Sequence, residues 1–169
     1  VCVLLAQYTA TWFIPLPIFG LLAFGTILFG ATFTARDYVH RLGRKYVYTM
    51  IAIAILDSII ETLILGVPWR IILASVIAIG LSETTDTEIY QRLIKQNWII
   101  RVMVSNSFSV PLDTILFTLI AFLGVFPWPV IISILYAEIL AKYIVGLIIA
   151  MFRYFKSDNQ KELVYEIQN

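Results

Sequence analysis

Asp57 and Glu61 stand four residues apart, Glu83 and Asp86 three apart, Asn106 and Asp113 seven apart, and Glu138 and Lys142 four apart. On an α-helix each of these spacings places both side chains on one face. The pairs fall in or at the edge of strongly apolar stretches, and Asp113 is the only ionisable side chain between Arg101 and Glu138. A charged group at a bilayer centre costs at least about 2.5–3.5 kcal/mol, so an acid kept there is a functional candidate. Such a carboxylate can accept hydrogen bonds from the N–H groups of a polar solute, or carry a proton where burial favours its neutral form. Asp57, Glu61 and Glu138 are the candidates for a coupling proton. Plainer roles compete. Glu138 precedes Lys142 in the order that favours an intrahelical ion pair, and Asp57 and Glu61 can bond to hydroxyls or backbone of neighbouring helices. Two like acids with no cation in their own stretch fit a polar cavity equally well.

Pro111 lies between Asn106 and Asp113. A proline inside a helix removes one backbone donor and clashes with the preceding turn, which predicts a kink or opening near Ser107. Irregular backbone at membrane depth is tolerated only against protein or a water-filled cavity, and transporters place substrate at such breaks.

The elements that must hold these residues are membrane helices. Hydrophobic residues make up 60% of the 169, charged residues only 14%, and the mean hydropathy is +0.89. A soluble domain carries about 25% charged residues. Period-2 alternation is absent, and the apolar blocks approach the roughly 20 residues that a spanning helix needs. Six blocks stand out: Val1–Ile14, ending at Pro15-Leu-Pro17; Ile18–Thr34; Tyr46–Val67, ending at Pro68-Trp69; one from Ile71 that fades into "SETTDTEIYQRLIKQN"; Trp98–Val125, ending at Pro127-Trp128-Pro129; and Val130–Phe155. Proline and tryptophan at these breaks suit short interfacial turns. Arg36, Arg41, Arg44 and Lys45, then Arg92 and Lys95, then Arg153, Lys156 and Lys161 fall on one side of this layout, and Arg70 alone on the other. The positive side stays in the cytoplasm. The expected fold is therefore all-α: a polytopic bundle of six transmembrane helices over 1–155, both termini cytoplasmic, with a short polar tail at 156–169. No Lys or Arg precedes the first block, which argues against a signal peptide.

Net charge is +1, so no basic field points to nucleic acid. Cys2 is the only cysteine and His40 the only histidine, which excludes a multi-histidine or disulfide-framed site; no metal and no cofactor is expected. His40 falls in the charged loop "RDYVHRLGRK". No Gly-rich phosphate loop is present, so the chain does not hydrolyse ATP alone.

The run Asp86 to Tyr90, then Trp98 and Arg101, Ser105-Asn106, and Leu112-Asp113-Thr114 with Phe117, Ala121, Phe122 and Gly124 resembles the VUT family of vitamin uptake or queuosine precursor transporters. The resemblance implies import, at the inner membrane, of a 7-deazaguanine such as 7-cyano-7-deazaguanine for tRNA modification. It implies a small-molecule substrate and the lipid bilayer as partners, with a homo-oligomer left open. On that basis Glu83 or Asp86, together with Asp113, would accept hydrogen bonds from the base. Arg101 and Asn106 would serve its acceptors, and Trp98, Phe108 or Tyr90 would stack on its faces. Arg41 stands where the family often has an acid.

Other classes are also weighed. A substrate-binding subunit of an energy-coupling-factor vitamin importer would dock through small residues, and Ala6 and Ala10 have the required spacing. An intramembrane aspartyl protease would need Asp57 with Asp113, but the "YD" and "GLGD" contexts are missing. A purely structural subunit would not favour acids on three separate spans. A stand-alone carrier without catalytic activity is preferred.

Overall fold

The computed structural model describes residues 5, 8–16, 20–27, 39–40 and 42–168. Strands β1 (Phe13–Leu16) and β2 (Gly20–Ala23) are followed by helices α1 (Arg44–Leu65), α2 (Trp69–Arg92), α3 (Trp98–Phe122) and α4 (Trp128–Gln168). The four helices match the last four apolar blocks, shifted by a few residues. α4 also continues as helix through the stretch read as a polar tail.

The first two blocks differ from expectation. Residues 13–16 and 20–23 form an antiparallel hairpin, with Phe13 opposite Ala23 and Leu16 opposite Gly20, and residues 24–27 are helical. The physical reason lies in the prolines. Pro15 and Pro17 cannot donate to a helix, and each pushes the residue before it, Ile14 and Leu16, into extended backbone. Residues 1–4, 6–7, 17–19 and 28–38, which hold the rest of both predicted spans together with Cys2, Ala6, Arg36 and Asp37, lie outside the described residues, as does Arg41.

Gly20 seats the hairpin on α4. Its φ of 93° is in the left-handed region, and a Cβ there would stand 2.2 Å from Ser133 Oγ. Leu21 N–H donates to the same hydroxyl at 3.2 Å. Glycine meets both demands, and no larger residue does.

The molecule is apolar outside and polar inside. Ile53, Leu56 and Ile64 on α1, Met103 and Phe108 on α3, and Ile132, Tyr136 and Leu147 on α4 are all more than half exposed. Ser58, Ser75, Ser82, Thr87, Ser109, Thr114 and Thr118 are buried. Contiguous apolar surface on this scale is not wetted stably. Among the described residues, Trp98–Phe122 and Trp128–Ile148 are long and apolar enough to cross a membrane. The protein is a membrane protein. Several of its hydroxyls are satisfied locally: Ser58, Thr84, Thr87 and Thr114 donate to carbonyls one turn back, the usual arrangement where water is scarce.

Two apolar clusters close the ends. One joins Phe13 and Leu21 of the hairpin to Ile71, Ile72, Ala121, Phe122 and Ile134. The other joins Val47 and Ile51 to Ile79. Arg70 donates to the carbonyls of Ile120 (2.7 Å) and Leu123. It thereby places a cation at the C-terminal end of α3, where the helix dipole favours one.

Candidate functional site

α2 and α3 are zipped together by a repeated device. Each helix carries a serine and, four residues on, an aspartate: Ser82 and Asp86 on α2, Ser109 and Asp113 on α3. The helices run antiparallel, so each serine meets the acid of the other. Ser82 Oγ donates to Asp113 Oδ1 at 3.3 Å, and Ser109 Oγ donates to Asp86 Oδ1 at 3.0 Å. All four residues are buried. Four residues of helix rise about 6 Å, so the two contacts are neighbours along one polar seam.

The Asp113 contact opens on a cavity. Lys142 Nζ of α4 donates to Asp113 Oδ2 at 2.8 Å and to Thr114 Oγ1 at 2.9 Å. The two charged side chains are only 4% and 5% exposed. A buried ion pair of this kind gains little net stability, because desolvating both ions offsets their attraction. Glu138, one turn before Lys142, is 2% exposed. The Thr26 hydroxyl donates to its carboxyl group, and its Oε1 has no hydrogen-bond partner among the described residues. Ala23, Thr26, Ser75, Ala78 and Phe117 complete the walls, leaving room for the centres of water-sized molecules over about 50 Å³. That is space for a few waters. The arrangement offers carboxylate acceptors, an ammonium donor, hydroxyls and one aromatic face to a small polar solute.

The Asp86 contact is closed by rings. His40 is buried, with its Nε2 3.5 Å from Asp86 Oδ2. Its ring stacks on Tyr90, centroids 4.2 Å apart at 19°, and the Arg101 guanidinium carbon lies 5.0 Å from the Tyr90 ring centre. Glu83 is buried one turn before Thr87, whose hydroxyl donates to the Glu83 carbonyl. Nearer the surface, Arg44 and Tyr48 of α1 both donate to Glu88, at 3.1 and 2.8 Å.

The structure thus groups Asp86, Tyr90 and Arg101, and separately Asp113 with Glu138 and Lys142. Trp98 is partly buried at the start of α3. Asn106 is partly buried, and its backbone carbonyl accepts from the Tyr143 hydroxyl at 3.4 Å. Phe108 is 60% exposed, on the outer side of α3. Asp57 is partly buried, and the Glu61 side chain lies outside the described residues.

Three expectations are corrected. Lys142 reaches across to α3 rather than lying only along its own helix with Glu138, because Asp113 and Thr114 together offer two acceptors within 3 Å. α3 does not open near Ser107 but runs as helix through Pro111; Ser107 and Thr114 hydroxyls bond back to the preceding turn on either side of the proline, and packing on α2 holds the helix. His40 is not on a wetted loop but enclosed against α2. Composition gave no sign of that. The Ser-x-x-x-Asp spacing, by contrast, stands twice in the sequence, as "SETTD" and "SVPLD".

No curated protein and no solved structure matches the chain. Residues 60–156 match a family model described as "putative vitamin uptake transporter", which covers more than half of the 169 residues, including both Ser–Asp contacts and the cavity acids. The chain belongs to the vitamin uptake transporter family.

Proposed function

We propose that the protein imports a queuosine precursor, 7-cyano-7-deazaguanine or a related 7-deazaguanine, across the bacterial inner membrane as a multi-pass carrier. The proposed layout is six spans with both termini in the cytoplasm. The observation that carries this reading is the buried Glu138 carboxyl, whose Oε1 has no partner among the described residues and which lines a cavity shared with Lys142 and Phe117. A guanine-like edge presents adjacent N–H donors to a carboxylate and a carbonyl oxygen to a cation. Glu138 supplies the acceptor, Lys142 the donor, and Phe117 a ring for the flat base. Asp113 holds Lys142 in place. A bicyclic base exceeds the space of a few waters, so its entry requires the hairpin and α4 to separate, in keeping with alternating access.

The Ala10 position that would serve docking in an energy-coupling-factor complex is buried in the apolar cluster and lines the cavity, which favours the stand-alone carrier.

The test is rescue of modified tRNA. The chain is expressed in a bacterium unable to make or import the precursor, which is then fed 7-cyano-7-deazaguanine at low concentration. Queuosine returns with the wild type and is lost with Glu138→Gln at equal membrane abundance. No queuosine from well-expressed wild type overturns the substrate assignment.

A further inference from the structure

The substrate reading leaves the enclosed pair formed by His40 and Asp86 without a task. Both side chains are wholly enclosed, and Nε2 stands 3.5 Å from Oδ2. That is too long for a hydrogen bond, yet only about 0.6 Å beyond the length of a charge-assisted one. Neither ring nitrogen of His40 has a hydrogen-bond partner among the described residues, although buried polar atoms normally find one. The ring is held by its stack on Tyr90. An enclosed imidazole beside a carboxylate is suited to take up a proton: Nε2–H⁺ then bonds to Oδ2, and a small movement of the ring releases it again.

Among the described residues, the groups that face the pair come from three helices. From α2 the ring meets Asp86 and Tyr90, with Glu83 buried one turn back. From α3, Ser109 donates to Asp86, and Arg101 lies over Tyr90. From α1, Arg44 and Tyr48 turn to Glu88 instead. Among the described residues, Asp86 is the only acid within ion-pair distance of His40. The pair also stands one helical turn from the Asp113 contact on both α2 and α3, because Asp86 follows Ser82 and Asp113 follows Ser109 by four residues. A charge appearing at His40 is therefore felt at the Asp113–Lys142 pair through a buried seam, where charges are screened less than in water.

We propose that His40 and Asp86 form the proton-binding site that couples solute uptake to the proton gradient. One proton binds the neutral imidazole when the site is open to the acidic side, and it leaves to the cytoplasm with the solute. No bond is made or broken in the solute. Coupling presupposes the import reading, and its residues are distinct from the Glu138–Lys142 cavity.

The test uses the full chain in liposomes with labelled 7-cyano-7-deazaguanine, in two modes. Exchange at equal pH on both sides needs no net proton movement; accumulation against an outside-acid gradient does. Wild type is expected to exchange, and to accumulate up to about tenfold per pH unit of gradient for one proton per base. His40→Gln and His40→Phe, the second of which keeps a ring on Tyr90, are expected to exchange within about twofold of wild type while accumulation falls to the equilibrium ratio. Accumulation that survives in either exchange-competent variant overturns the proposal. So does wild-type exchange that ignores the gradient, or loss of exchange in both variants, which would assign His40 to folding or solute contact. A wild type that does not exchange the base removes the import reading itself, and the coupling site with it.

Discussion

Two serine–aspartate contacts join α2 to α3, and they differ in what stands behind the acid. Asp113 meets the Lys142 amine at 2.8 Å, beside a cavity that it shares with Glu138. Asp86 meets an imidazole at 3.5 Å, backed by an aromatic stack. An amine bonded to both Asp113 and Thr114 fixes the geometry of its neighbours. An imidazole can change its charge near neutral pH. On the proposals above, the same two-residue device serves a solute in one place and a proton in the other, and the difference comes from α4 in one case and from the 39–40 segment in the other.

The comparison breaks most severely at Lys142. Lys142→Met removes the cation and leaves Asp113 and Glu138 buried together. Stranding buried charge costs about 3–5 kcal/mol, so this variant should lose most of its membrane abundance and its thermal stability in detergent. Asp113→Asn added to the same chain should recover much of the loss, since the stranded charge is then removed. A single variant as stable as wild type would mean that the cation does not organise this region.

Glu138→Gln comes next, with its effect on transport rather than on folding. The amide keeps the size and the contact with Thr26 but gives up a charged acceptor. A hydrogen bond to a charged group contributes about 1.5–3 kcal/mol, which corresponds to roughly 10- to 100-fold in apparent affinity. Initial-rate uptake across a range of base concentrations should show that rise in half-saturation at unchanged abundance. An unchanged half-saturation would remove Glu138 from the solute.

Between the two serines the expected effects are unequal. Ser109→Ala removes the 3.0 Å donor to Asp86, whereas Ser82→Ala removes a longer bond, 3.3 Å, from an acid that keeps Lys142 at 2.8 Å. Ser109→Ala should cost about 1–3 kcal/mol in chemical denaturation, and Ser82→Ala visibly less. The reverse order would mean that Lys142 does not shield Asp113.

How much of this could be read from the sequence depends on the physical signal. The helices of residues 44–148 were legible because apolar blocks of membrane length, closed by Pro-Trp breaks, leave few alternatives. Asp113, Glu138 and Lys142 were legible as candidates because charge in such a block is costly. Their pairing was not: Glu138 and Lys142 lie on one face by spacing, but which acid the amine reaches depends on how α3 and α4 pack. The hairpin was hidden because Phe13–Leu16 and Gly20–Ala23 are as apolar as a helix, and only Pro15 and Pro17 argued otherwise. His40 was hidden more deeply. Flanking charges mark a wetted loop, and nothing in "RDYVHRLGRK" says that the ring turns inward to Tyr90.

Phe108 gives the smallest expected effect. It precedes Ser109, so on a helix its side chain projects about 100° away from the seam, and it is 60% exposed among the apolar residues that face lipid. The resemblance led us to expect a stacking role for it; the structure places it outside both contact groups. Phe108→Leu exchanges one apolar surface for another and should leave abundance, half-saturation and gradient-driven accumulation within about twofold of wild type, since surface changes away from such features stay within about 0.5 kcal/mol. Should uptake fall while abundance holds, the ring must reach the solute in another state of the carrier. α3 would then have to turn about its axis during transport, and the two serine contacts, which fix that axis against α2, could not both persist through the cycle.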